Sequence, residues 1–223
     1  GGFGQEFCSA KITPAGIRFV DIAGLVKGAS AGEGLGNKFL SHVRSVDAMA
    51  HVIRFFHDDN VVNVLGDLNP LSAVETIETE LLLADLQQAQ KALDKVEKPA
   101  KSGDKEAKAQ YEILYQAIEG FNAGQSARSQ KLPDEVNREF QFLTGKPMMY
   151  VANTDEAGAS EDMLKPLKEK AREENATIVT LCTKLEAEIL ELPEEERKSY
   201  YEEAGISSPG LARLARAGQE LLK

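Results

Sequence analysis

The chain has 223 residues, 42% of them hydrophobic, enough for one large domain or two modest ones with a real core. Its 36 acidic and 26 basic residues leave a net charge of −10, which excludes a general nucleic-acid coat protein but not a local basic patch. Cys8 and Cys182 follow no metal spacing, the three histidines form no ligand cluster, and no apolar run reaches membrane-spanning length. With no signal-peptide core behind Gly1, these features predict a soluble, cytoplasmic protein with reduced thiols.

Residues 1 to 10 are rich in glycine and carry no readable element. Gly16 to Asp21 reads as a strand, and Gly24 follows three residues after the acid. A loop through Gly32, Gly34 and Gly36 then leads to a helix from Leu35 to Val46, with Leu35, Phe39, His42, Val43 and Val46 on one side. A strand that hands an acid and a glycine to a flexible loop is how P-loop nucleotide triphosphatases sense a γ-phosphate. The acid holds Mg²⁺ directly or through water, and a glycine N–H can approach phosphate because no Cβ stands in the way. The glycines lack the G-x-G-x-x-G spacing, which excludes a dinucleotide fingerprint.

Ala48 to Phe56 is an apolar run of strand length, expected to be buried on both faces, with His51 and His57 beside it. From Leu71 to Gly124 the residues are nearly all helix formers, with an apolar stripe through Leu81, Leu82, Leu83, Leu86, Ala92 and Leu93. Lys101 to Asp104 breaks the run and Ala107 to Phe121 resumes it, which predicts an antiparallel α-hairpin. Lys91, Lys95, Lys98, Lys101, Lys105 and Lys108 gather at its turn among fewer acids. They form either a solvated surface or a contact surface for RNA or a protein.

A short helix is expected from Pro133 to Phe142, then a strand from Lys146 to Asn153 and a helix over residues 160 to 174. A strand from Ala176 to Leu181 follows, then helices at Glu186 to Leu190, Pro193 to Ala204 and Pro209 to Leu222. Strands alternating with helices predict an α/β fold, a mostly parallel sheet covered on both faces and interrupted by an inserted helical hairpin. Residues 1–70 and 143–223 would form the nucleotide-binding domain and residues 71–142 the insertion.

Two further motifs stand at strand ends. Taken alone, Asn153-Thr154-Asp155-Glu156 is an ordinary strand-to-helix turn and Cys182-Thr183-Lys184 a helix start. No G-x-x-x-x-G-K-[ST] occurs; Thr144-Gly145-Lys146 has the Gly-Lys pair but is followed by Pro147, with no glycine five places before Gly145.

Taken whole, the run from Asp21 through Gly24, Leu25 and Gly28 to Ser30, followed by Gly32-Glu-Gly-Leu-Gly-Asn-Lys-Phe-Leu40, closely resembles switch II of the Obg-like ATPases. These are the YchF subfamily of the translation-factor-class GTPases, and the resemblance runs from about Lys11 to Lys223. It implies a P-loop, G-domain-like fold that binds ATP with Mg²⁺, with K⁺ as a further candidate ion, and hydrolyses ATP to ADP and phosphate. It places Mg²⁺ on Asp21 and the γ-phosphate at the Gly24 N–H. Leu25 stands where many GTPases carry a water-orienting glutamine, so water positioning falls to other groups and turnover is slow.

In GTPases the strand-end motif is Asn-Lys-x-Asp, whose aspartate reads guanine. Here Thr154 replaces the lysine and Glu156 the aspartate, a departure the Obg-like ATPases share with their preference for ATP. Asn153 would serve the adenine amine or brace the neighbouring loop, and Cys182, Thr183 and Lys184 match the Ser-Ala-Lys loop that backs the base. The resemblance also implies ribosomal RNA or protein as a partner, with Lys95, Lys98, Lys101 and Lys105 as one contact surface, and no membrane or DNA partner. The family's phosphate loop would precede Gly16 and its TGS domain would follow Lys223. The sequence therefore reads as a piece of a longer protein or as one from which segments are left out. Two alternatives remain: a GTP-preferring enzyme of the same fold, or a non-catalytic module that binds ribosome or protein.

Overall fold

The computed structural model of the protein describes residues 7–13, 16–22, 36–55, 70–206 and 209–223. Its described strands form one sheet in the order β2-β1-β3-β4-β5: β1 Phe7–Thr13, β2 Gly16–Ile22, β3 Ala48–Arg54, β4 Met148–Asn153 and β5 Thr177–Leu181. Eight helices are described: α1 Gly36–Ser45, α2 Pro70–Lys101, α3 Lys105–Asn122, α4 Asp134–Glu139, α5 Glu161–Glu173, α6 Thr183–Glu191, α7 Glu194–Glu203 and α8 Gly210–Leu221. The chain is of the α/β class, as the alternation of strands and helices predicts.

The sheet is mixed rather than uniformly parallel. β3, β4 and β5 run parallel, whereas β1 is antiparallel to both β2 and β3. β1 begins in the stretch that carries no readable element in the sequence. Its Phe-Cys-Ser-Ala-Lys-Ile-Thr composition alternates too weakly to announce a strand, and pairing with neighbours on both sides makes it one.

Contacts divide the chain into two units, Gly1–Lys27 with Val46–Ala73 and Pro147–Lys223, and Gly28–Ser45 with Val74–Lys146. In the first unit the sheet buries one face under α8. Ala50 of β3, Met149 and Val151 of β4, and Val179 and Leu181 of β5 form a cluster against which Leu214, Ala217 and Leu221 pack. The period of two turns Met148, Tyr150 and His51 to the other face. There His51 and Tyr150 sit on the same rung, with ring centroids 6.3 Å apart. His51 is fully buried, and burial alone lowers its pKa from 6.5 to about 3, so it is neutral at ordinary pH.

The second unit holds the helical hairpin. α2 ends in a Schellman arrangement: the Gly103 N–H donates to Ala100 O and the Asp104 N–H to Pro99 O. Gly103 takes the left-handed φ of +94° that this cap requires. Asp104 then caps α3, accepting from the Ala107 N–H at 2.9 Å. One tetrapeptide thus stops one helix and starts the next. Leu114, Ala117, Ile118 and Phe121 of α3 pack with Ala89 of α2 and with Phe140 and Phe142, which follow α4. Phe121 meets Phe142 edge to face, with centroids 5.2 Å apart.

Two side chains depart from their expected faces. His42 is exposed on α1 while Phe39, Val43 and Val46 are buried. Leu83 is 49% exposed although its neighbour Leu81 is fully buried. Consecutive leucines cannot all face one way at 100° per residue, and Leu83 is the member turned outward.

Candidate functional site

The parallel strands β3, β4 and β5 end together, and the polar strand-end motifs lie at that edge. Open α/β sheets bind ligands outside the carboxyl ends of their strands, because the connecting loops and helix starts converge there. Asn153 closes β4 and is held from both sides. Its carbonyl accepts from the Phe55 N–H at 2.8 Å, and the next amide, Thr154 N–H, donates to Leu181 O at 2.9 Å. Thr154 itself is buried. Gly158, with φ +78°, closes the turn by donating to Asp155 O at 3.0 Å.

The Asn153 side chain reaches across to the loop after β5. Its Oδ1 accepts from the Thr183 N–H at 3.0 Å and from Thr183 Oγ1 at 3.0 Å. A backbone N–H can only donate, which fixes the carboxamide with its oxygen towards Thr183. Both lone pairs of the Asn153 oxygen are engaged by Thr183 in this arrangement.

Cys182 is the N-cap of α6, its Sγ accepting from the Leu185 N–H at 3.5 Å, and Thr183 and Lys184 are the first residues of that helix. The helix-start reading of this tripeptide therefore holds alongside its place at the strand edge. Lys184 Nζ stands 4.0 Å from Glu156 Oε1, with both side chains largely exposed. The two motifs, thirty residues apart in sequence, thus meet at Asn153–Thr183 and again at Glu156–Lys184.

Asp21 lies elsewhere in the sheet. It pairs with Cys8, which pairs with Ala50, which pairs with Met149. Asn153 is four residues beyond Met149, so the two are separated by three strand spacings, about 14 Å, and by about 13 Å along the strands. Gly24 and Leu25 lie outside the described residues. Lys95, Lys98, Lys101 and Lys105 are exposed around the hairpin turn, and Lys101 pairs with Glu97 at 2.7 Å. Among the described residues no three or more His, Cys, Asp or Glu side chains gather to hold a metal ion, and no helix is long and apolar enough to cross a membrane.

Sequence reasoning missed two buried polar centres. Asp85 of α2 accepts from the amides of Leu143 and Thr144 and from the Thr144 hydroxyl. Thr144, part of the false phosphate-loop match, is therefore a buried structural residue, and Lys146 beside it donates to Arg44 O at 2.9 Å. Glu186 of α6 accepts from Tyr201 Oη at 2.9 Å and from the Gly210 N–H at 2.8 Å, tying α6, α7 and α8 together. No local pattern signals either; an acid inside an amphipathic helix is the only trace.

The 50S ribosome-binding GTPase family matches residues 5–99. The protein named ribosome-binding ATPase YchF of Bacillus subtilis is 44% identical over 220 residues, covering 95% of this chain and 60% of its own length. The protein of that name from Escherichia coli O157:H7 is 44% identical over 213 residues, covering 94% of this chain and 59% of its own. The solved structure of the Schizosaccharomyces pombe YchF GTPase superposes with a TM-score of 0.70 at 29% identity, over 92% of this chain and 58% of that one. The chain spans about 60% of the length of the relatives it matches. Motif order, P-loop GTPase fold and near-complete alignment agree: the chain belongs to the YchF family.

Proposed function

We propose that the protein binds ATP at the carboxyl edge of β3, β4 and β5 and hydrolyses it to ADP and phosphate, as a ribosome-associated cytoplasmic regulator. The observation that carries this reading is the Asn153–Thr183 brace, which joins two polar strand-end motifs at the carboxyl edge of the parallel sheet. Asn153, Thr154, Glu156, Cys182, Thr183 and Lys184 surround the base. Glu156 is one methylene longer than the aspartate that reads guanine and is drawn towards Lys184, which disfavours a bidentate grip on guanine.

Mg²⁺ is commonly held by one or two carboxylates together with substrate phosphates and water, so a single carboxylate at Asp21 fits it as a donor set. Its separation from Asn153 suits the two ends of one elongated ligand, base at one and phosphate at the other. Asp21 would hold Mg²⁺ there, and the ion would supply charge neutralisation at the phosphate oxygens. Gly24 offers an N–H to the γ-phosphate, and Leu25, which can neither donate nor accept, leaves water orientation to other groups.

Residues 71–142 form the partner-facing insertion on residues 1–70 and 143–223, and its lysines meet ribosomal RNA or protein. Residues 91 to 108 carry six lysines and four acids, net +2, in a chain whose net charge is −10. One competing reading has a specific basis: the fungal structure is titled a GTPase, whereas the bacterial relatives are named ATPases. Titrating full-length protein with a fluorescent ATP analogue, against unlabelled ATP and GTP, tests the choice. Displacement by ATP at lower concentration is expected; stronger displacement by GTP would transfer the assignment to a GTPase.

A further inference from the structure

The hydrogen-bond polarity of the brace carries an inference that rests on the nucleotide-site reading and goes further. Asn153 Oδ1 is saturated by two donors, both from Thr183. What the pair presents outward is therefore complementary in sign: the Asn153 Nδ2 hydrogens, which donate, and the lone pairs of Thr183 Oγ1, which accept because its one hydrogen is spent on Asn153. Thr183 is exposed at the start of α6 and so is open to a ligand.

A donor beside an acceptor matches one purine and not the other. Adenine shows an N7 acceptor next to an N6 amine donor, whereas guanine shows two acceptors, N7 and O6. We propose that Thr183 is the residue that selects adenine: its hydroxyl accepts from the N6 amine while Asn153 Nδ2 donates to N7. Guanine would bring O6 against the Thr183 lone pairs, with no hydrogen between the two oxygens. The Thr183 N–H, a donor that O6 would need, is already held by Asn153. Thr183 thus selects for adenine where Glu156 only weakens the grip on guanine, and Asn153, which meets the N7 common to both purines, contributes affinity without preference.

The test uses full-length protein, wild type and the variants Thr183→Ala and Thr183→Ser, with ATP, GTP and purine riboside triphosphate, which lacks the 6-amino group. Thr183→Ala is expected to weaken ATP by about tenfold and leave GTP unchanged or tighter, while Thr183→Ser restores the wild-type ratio. Purine riboside triphosphate should bind wild type about as ATP binds Thr183→Ala, and should not be weakened further by that substitution. A merely structural threonine would lower all three ligands together, and that result, or an unchanged ATP-to-GTP ratio, would overturn the assignment. Failure of wild type to bind either nucleotide would overturn the site reading itself and this inference with it.

Discussion

Asp85 Oδ2 accepts both the backbone amide and the hydroxyl of Thr144, at 2.8 and 2.6 Å, across 59 residues of chain. The same hydroxyl accepts from the Ala127 N–H at 2.9 Å, and Thr144 O accepts from the Arg128 N–H at 3.0 Å. One carboxylate therefore organises the return of the chain from the hairpin. Asp85→Ala would leave the buried amides of Leu143 and Thr144 without an acceptor. It is expected to destabilise the helical unit by about 3 kcal/mol in urea unfolding followed by hydrogen exchange.

The same carboxyl predicts a pH dependence. Burial raises the Asp85 pKa from 3.8 to about 6, against the lowering effect of the Thr144 and Leu143 hydrogen bonds and the Arg128 charge. The fold thus binds this proton more tightly than the unfolded chain does. The resulting stability is present below pH 3.8 and is lost as pH rises through about 6, a change of about 3 kcal/mol. Unfolding free energies of wild type and Asp85→Asn, measured from pH 4 to 7.5, should diverge in slope across that window.

At the hairpin turn, Gly103→Ala is expected to cost about 1 kcal/mol although nothing lies within 4 Å of the new Cβ, because the φ of +94° is unfavourable for any side chain. Asp104→Ala removes the α3 cap and should cost a similar amount. Helix loss at 222 nm on heating would register both.

Tyr201 donates to the buried Glu186 carboxylate; burial, then this hydrogen bond and the Glu186 charge, raise its pKa to about 12. In an alkaline absorbance titration, Tyr201→Phe should remove one late-ionising step from the wild-type curve. An unchanged titration would remove Tyr201 from the α6–α7–α8 junction.

Lysine reversal at the hairpin separates its two readings. Lys95, Lys98 and Lys101 changed together to Glu should weaken ribosome co-sedimentation several-fold, most clearly at low salt. Full retention would leave the turn as a solvated surface.

Much of the fold is legible in the sequence because its signals are local. The α-hairpin follows from a 3.6-residue stripe and a Lys-Ser-Gly-Asp break, and the buried strands β3 and β4 from continuous apolar runs. β1 is not legible, since its strand character comes from partners rather than from composition. At the site, Asn153 and Cys182-Thr183-Lys184 stand out by position, but the bond between Asn153 and Thr183 spans thirty residues and fixes which atoms remain for a ligand. The Asp85 and Glu186 centres are invisible for the same reason: a buried acid is defined by the distant donors it collects.

His51, sealed neutral beneath the sheet, gives the two units opposite responses to acid. Its folded pKa of about 3 lies below the ordinary 6.5, so as pH falls past 6.5 the unfolded chain takes up a proton that the sheet refuses. Each further pH unit then weakens the sheet unit by about 1.4 kcal/mol. Asp85 strengthens the helical unit over much of the same range. Mild acidification is therefore expected to weaken the contribution of His51 to the sheet while it strengthens that of Asp85 to the helical unit, so stability lost in one place is partly regained in the other.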